Sequence, residues 1–366
     1  MESFAPPVVQ PGLVSSVYPV PAHERALPLH VGTRGSPLAL AQTRNVIARL
    51  QEICPPLRGD GVAEHIITTT GDASQASGCR LADIGGKGLF SKEIDEAMLA
   101  GRIDIAVHSL KDLETVMRPG IVLGCVLPRE DARDVLILGP SCGPVDPWHP
   151  WVCLPHGAEV GTASVRRQAQ MLYARPDLNI SIIRGNVQTR LDKVADGRTQ
   201  ATLLAYAGLR RLNLAEHAGL VIHPEFMVPA AGQGIVGITV RESDTQMREI
   251  LAAIEDPEAR AAAAAERSML AVLDGSCNTP IGAYARMSAD GTLHLTGLLA
   301  STDGTFLIKR RLTGRMSDAG SDFERGRDRS VRHRLAGRFP EMACRHPDAR
   351  RTWRMIPGFH RLGAAG

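Results

Sequence analysis

The stretch VGTRGSPLALAQTRNVIARL, residues 31–50, reads as a strand end, a glycine-bounded turn and the start of a helix. Ser36 suits the N-cap and Pro37 the first helical position, while Leu40, Ile47 and Leu50 fall on one apolar face. The same alternation continues outward. EHIITTTGD (64–72) gives the next strand and its turn, and SKEIDEAMLAGRIDIAVHSLKD (91–112) gives a helix stopped at Gly101 and a buried strand from Ile103 to Val107. RDVLIL (133–138), EVGTASVRRQAQML (159–172), NISIIRGNVQTRLDKV (179–194), ATLLAYAGLRRL (201–212) and GIVGITVR (234–241) carry the pattern on. Strands alternating with helices predict a parallel α/β sheet. Beyond Glu258 the pattern changes. EARAAAAAERSMLAVL (258–273) is a strong helix on propensity, and TLHLTGLLAS (292–301) and TFLIKRRLTG (305–314) read as paired strands of a separate α+β domain. No internal repeat and no coiled-coil heptad is visible.

A chain of 366 residues exceeds the roughly 250 to 300 at which single cores stop growing, so several domains are expected. Its composition is 44% hydrophobic, yet no run approaches the roughly 18 apolar residues of a membrane helix. Residues 1–29 are proline-rich and carry Glu2 and Glu24, unlike a secretory signal or a transit peptide, and read as a flexible extension. Seven cysteines, odd in number and without CxxC, signal neither a disulfide framework nor a zinc site and fit a reducing cytoplasm. A net charge of only +3 with 4% aromatic residues argues against nucleic-acid binding, so any functional positive charge is local.

That local charge gathers at strand-to-helix transitions, where parallel sheets bind anions. Arg34 lies in the first such loop, Lys111 and Asp112 follow a strand, Arg166 and Arg167 open a helix, Arg184 and Arg190 flank GNVQT, and Arg210 and Arg211 follow LLAYAGL. Each alone reads as a solvated charge; together their planar forks imply a multiply anionic ligand. IGGKGLF (84–90) lacks the spacing of a nucleotide-binding loop and reads either as a mobile flap carrying Lys87 and Phe90 or as a glycine-rich surface loop. Asp112, the lone carboxylate of the basic set, either pairs with Lys111 or accepts N–H bonds from a substrate acquiring positive charge. In LDGSCNTPIGAYA (273–285), Cys277 is on its own terms a small buried hydrophobe.

TRGSPLALAQ (33–42), IGGKGLFSKEI (84–94), DIAVHSLKD (104–112), VGTASVRRQAQ (160–170), IRGNVQTRL (183–191), LAYAGLRRL (204–212), PAAGQGIVGI (229–238) and GSCNTPIGAYA (275–285), in this order, closely resemble the porphobilinogen deaminase (hydroxymethylbilane synthase) family. The resemblance implies a fold of two periplasmic-binding-protein-like α/β lobes joined by two crossing segments, plus a smaller C-terminal α+β domain. Mapped onto this chain, lobe one takes 30–127 and 229–252, lobe two 128–228, and the cofactor-attachment domain 253–324, leaving 325–366 as an atypical, arginine-rich, poorly ordered tail. It further implies a covalent dipyrromethane cofactor on Cys277, to which four porphobilinogen molecules are added with loss of ammonia, releasing hydroxymethylbilane for tetrapyrrole and heme biosynthesis.

Carried over residue by residue, the resemblance makes Asp112 the catalytic carboxylate, aided by Arg34, and gives the carboxylates of substrate and growing polypyrrole chain to Arg34, Ser36, Arg184, Arg190 and Arg211. It gives those of the cofactor to Lys111, Arg166 and Arg167, helped by Ser109, Thr162 and Ser164, and the flap to Lys87 and Phe90. No metal, nucleotide, nucleic acid or membrane is called for, and a monomer is expected. Two departures stand out: Leu113 and Glu114 follow Asp112 where the family has a hydrophobic residue and proline, and Ser276 replaces a glycine before Cys277. The rivals are a two-lobed carboxylate-binding protein without catalysis, which leaves the cysteine loop and Asp112 unexplained, and a cysteine hydrolase, for which no histidine partner is marked.

Overall fold

A computed structural model describes residues 26–73, 90–273 and 279–316. The first lobe begins with β1 (Leu29–Thr33), α1 (Pro37–Ile53), β2 (Val62–Ile66) and the single turn α2 (Thr70–Ala73). It continues through α3 (Lys92–Leu99), β3 (Ile105–Ser109) and β4 (Ile121–Val126). The second lobe holds β5 (Asp134–Leu138), β6 (Glu159–Gly161), α4 (Val165–Ala174), β7 (Asn179–Ser181), α5 (Val187–Ala195), β8 (Ala201–Ala205), α6 (Tyr206–Arg211) and β9 (Leu220–Val221). The chain then returns to the first lobe with β10 (Val236–Arg241) and α7 (Thr245–Ala252).

Each lobe is a five-stranded sheet, ordered β2-β1-β3-β10-β4 in one and β7-β6-β8-β5-β9 in the other. The sheets are not fully parallel, as the alternation of strands and helices suggests. β10 runs antiparallel to β3 and β4, and β5 antiparallel to β8 and β9. The reversed strand is in each case the first after a crossing. The chain leaves one lobe at the carboxyl ends of its parallel strands and so enters the other at the same, facing end. The two lobes have equivalent strand orders, although no internal repeat is visible in the sequence.

β3 starts two residues later than its apolar run suggests. Asp104 leaves the ladder: its carboxylate accepts the His30 N–H at 2.8 Å while its own N–H donates to the His30 carbonyl at 2.8 Å. Pairing with β1 then begins at Val31 and Ile105, although Ile103 stays buried. The crossing segments are bonded to each other, with Glu130 N–H on the Gly234 carbonyl at 3.0 Å and Arg129 Nε on the Gln233 carbonyl at 2.9 Å. Gly232 (φ 73°) and Gly234 (φ 87°) make this possible, since a Cβ at either position would collide with Leu110 or with the Glu130 carbonyl.

The third unit packs α8 (Pro257–Val272) on an antiparallel sheet of β11 (Ile281–Met287), β12 (Thr292–Ala300) and β13 (Leu307–Arg315). Asp256 caps α8, its side chain accepting the Ala259 N–H at 2.7 Å. Ala261, Ala262 and Ala265 meet Ala283 and Ala285, and these small side chains let helix and sheet approach closely in a core closed by Met269, Leu295 and Phe306. The N-terminal extension up to residue 25, Lys87, Ser276, Cys277 and the tail from 325 onward lie outside the described residues.

Candidate active site

The parallel strands of lobe one end in the loops that carry Arg34, Ser36, Ser109, Lys111 and Asp112. Ser36 caps α1, accepting the Ala39 N–H at 3.3 Å. Ser109 Oγ sits 3.0 Å from Gln42 Nε2, and a 3-10 turn at Leu110–Asp112 leaves Asp112 exposed. Arg34, Ser36, Phe90, His108, Ser109 and Asp112 line one hollow. A wider hollow at the opposite ends of the strands, lined by His30, Asp104, Arg241 and Asp244, contains none of the expected site residues.

Arg34 is oriented on both sides. Its guanidinium lies 4.2 Å over the Phe90 ring and forks onto both oxygens of Asp72. Burial raises the Asp72 pKa, but hydrogen bonds from Arg34 and Thr69 outweigh it and leave the carboxyl below its ordinary value. Sequence reasoning missed Asp72, although the turn TTTGD places it after a strand much as Asp112 is placed. It also missed His108, whose Nε2 lies 3.1 Å from Thr239 Oγ1. Burial, with repulsion from Arg34, pushes the His108 pKa down to about 4, so the ring is neutral at pH 7.

Across the cleft, Ser164 caps α4 by accepting the Arg167 N–H at 3.4 Å, and Thr162 Oγ1 accepts the Ser164 N–H at 3.1 Å. Arg166 and Arg167 share the fully buried Asp134, at 2.7 and 2.8 Å. Gln233, in the returning crossing segment, donates to Asp134 at 2.9 Å and accepts from Lys111 Nζ at 3.4 Å. Burial works against the Asp134 charge, but the two arginines outweigh it and hold the carboxyl far below its ordinary range. Asp134 and Gln233 were not anticipated, because neither carries a signal until the lobes are folded together.

Burial lowers the Lys111 pKa to about 8, Asp112 partly offsetting it and Arg167 adding to it. Burial likewise lowers Arg190 to about 10, with repulsion from Arg167 and then Arg184 and attraction from Asp112. These couplings run across the cleft, bringing Lys111 and Asp112 of one lobe toward Arg166, Arg167, Arg184 and Arg190 of the other. One asparagine-capped turn carries the last two: Arg190 Nε donates to the Gly185 carbonyl at 3.0 Å, and Asn186 caps α5. Arg211 donates to the Gly234 carbonyl of the returning crossing segment at 2.7 Å.

Among the described residues, Arg166 Nε and Arg184 Nη1 are buried without a hydrogen-bond partner. Orphaned guanidinium N–H groups at a cation-rich cleft fit a ligand bearing several carboxylates. Among the described residues no cluster of histidine, cysteine and carboxylate side chains is arranged for a metal ion. No helix there is long and apolar enough to cross a membrane.

Together these features define a two-lobed α/β protein built to hold a polycarboxylate around one exposed carboxylate. Residues 29–249 match the family described as porphobilinogen deaminase, dipyromethane cofactor binding domain, and residues 261–323 match porphobilinogen deaminase, C-terminal domain. The chloroplastic porphobilinogen deaminase of Oryza sativa subsp. japonica is 49% identical over 78% of this chain and 78% of its own length. That of Nitrobacter winogradskyi is 47% identical over 80% of this chain and 89% of its own length, and that of Syntrophobacter fumaroxidans 42% identical over 80% and 90%. Among solved structures, a putative periplasmic sulfonate-binding protein of Methylobacillus flagellatus aligns over 67% of this chain and 68% of its own at 12% identity and a TM-score of 0.34, too loose a likeness to carry any argument. The chain belongs to the porphobilinogen deaminase family. It is therefore an enzyme of tetrapyrrole biosynthesis, and its cofactor is dipyrromethane.

Proposed function

We propose that the cleft performs the stepwise deamination and condensation of porphobilinogen with Asp112 as its catalytic carboxylate. The observation that carries this reading is the place of Asp112 in the hollow lined by Arg34, Ser36 and Ser109, with Lys111 next to it in the chain and Arg190 of the other lobe within electrostatic reach. The dipyrromethane, when bound to Cys277, supplies the pyrrole carbon onto which substrate units are added. Its carboxylates suit the orphaned N–H group of Arg166, the guanidinium of Arg167 and the ammonium of Lys111. Ser109, Thr162 and Ser164 assist by fixing the loops from which these cations project.

Arg34, Ser36, Arg184, Arg190 and Arg211 hold the acetate and propionate groups of the incoming substrate. Arg34 does so while tethered to Asp72, which limits its swing; Phe90 stacks on it, and Lys87 belongs to the same flap. Cleavage of the C–N bond releases ammonia and leaves a cationic pyrrole. Asp112 accepts that pyrrole's N–H and is attracted more strongly as the charge develops, which lowers the barrier. The C–C bond then forms at the free pyrrole carbon, which loses its proton to restore aromaticity.

The division into lobes at 30–127 with 229–252 and 128–228, followed by a cofactor domain at 253–324, is supported by the matching strand orders and the separate third sheet. A monomer in the cytoplasm, without nucleic acid, completes the proposal; the odd, unclustered cysteines and the small net charge support it. The test pairs mass with turnover. Cys277→Ser should lose the dipyrromethane mass, while Asp112→Asn should keep it yet release ammonia on the order of a hundredfold more slowly. Near-normal single-turnover ammonia release by the loaded Asp112→Asn variant would remove Asp112 from the central role.

A further inference from the structure

The backbone just after Asp112 is held from outside its own lobe. Arg267, 2% exposed on α8, sends one guanidinium arm to the carbonyls of Glu114 at 2.5 Å and Thr115 at 3.1 Å, and the other to that of Leu113 at 3.5 Å. Leu113 is itself buried in a cluster with Ala263 and Ala259, about one and two turns earlier on the same helix. α8 thus grips consecutive residues downstream of the carboxylate with both an apolar plug and a planar fork. Its C-terminal end at Val272 runs directly into the segment that contains Cys277.

Upstream of the gripped carbonyls, the Leu113 N–H closes the turn on the Leu110 carbonyl at 3.1 Å. Position 114 is glutamate, which leaves φ unrestricted where a proline would fix it. Val116, just beyond the gripped carbonyls, is 76% exposed. A guanidinium matches successive carbonyls because its donors are coplanar and fixed in direction.

We propose that Arg267 is a positioning residue for catalysis: by clamping Leu113–Thr115 to α8, it fixes the backbone from which Asp112 projects at the cleft. This rests on the reading of Asp112 given above.

The experiment is a double-mutant cycle in holoenzyme whose dipyrromethane content is verified by mass. Arg267→Gln should lower kcat on the order of ten- to a hundredfold with little change in KM, as expected when a reacting group is misplaced by about an ångström. Arg267→Lys, which keeps the charge but loses the fork, should recover part of that loss. The deciding readout is Asp112→Asn/Arg267→Gln, which should be no slower than Asp112→Asn alone, because Arg267 acts through Asp112. Strictly multiplicative losses, or normal kcat in Arg267→Gln, would overturn the proposal; should the Gln variant not fold, the same cycle with Lys decides it. An Asp112→Asn enzyme with full activity would instead sink the underlying functional reading, a result the cycle reports separately.

Discussion

Asp95 shows how one side chain sets a pH dependence away from the chemistry. It is 8% exposed on α3, and its Oδ1 has no hydrogen-bond partner among the described residues. Burial raises its pKa to about 6; Arg118 offsets this in part, and the neighbouring carboxylates Glu114 and Glu96 push further upward. The folded state therefore binds this proton more tightly than the unfolded chain, whose carboxyl titrates near 3.8. The stabilisation is complete below the unfolded value and is lost as pH rises through about 6. Asp95→Asn should accordingly stabilise the protein by about 1–2 kcal/mol near pH 7.5, and the gain should vanish near pH 4. Urea titrations of both proteins at the two pH values measure this, and an equal gain at both would show that charge is not the cause. At this scale the sequence was legible for Ser36, whose cap depends on a residue three positions away. It was silent on Asp95, whose burial depends on the fold.

Among the elements, β5 and α4 are locked by the shared carboxylate of Asp134, the first residue of β5. Two arginines from the first turn of α4 and Gln233 from the returning crossing segment converge on it. Removing that charge leaves two buried guanidiniums uncompensated. Asp134→Asn should cost about 3–5 kcal/mol, whereas Ser164→Ala, which removes a single cap bond, should cost about 1 kcal/mol. Chemical denaturation of both variants tests the ranking, and equal losses would mean that the buried pairs contribute little. The helix was expected from VGTASVRRQAQ, and its arginines were assigned to ligand carboxylates. The structure adds that they are partly neutralised by the protein itself, leaving Arg166 Nε as an unused donor at the site.

Over the whole molecule, Glu266 joins parts that the chain order separates. Fully buried on α8, it accepts Arg129 Nη1 from one crossing, the Gly232 N–H from the other and the Ala285 N–H from β11, each at 2.6 Å. Glu266→Gln removes the charge and sets an amide NH₂ among donors, so it should loosen the third unit from the lobes. Amide exchange should then accelerate in β11 and the crossing segments well beyond that in β1 and β3. Uniform acceleration across all strands would show that the junction is no separate point of weakness.

The sequence by itself determined the helix caps, the strand-to-helix loops that carry the arginines, and the ordered motifs by which the family was recognised. These depend on residues a few positions apart, where backbone bonding and apolar period leave a local pattern. Only the tertiary structure decided which strands reverse, that two lobes without visible repetition share one topology, and that Asp72, Asp134, Gln233, Glu266 and Arg267 support the site. Arg267 and the carbonyls it holds are about 150 positions apart in the chain. A contact at that separation leaves no period or spacing to read, because it exists only once two crossing segments and a third sheet have been packed against one another.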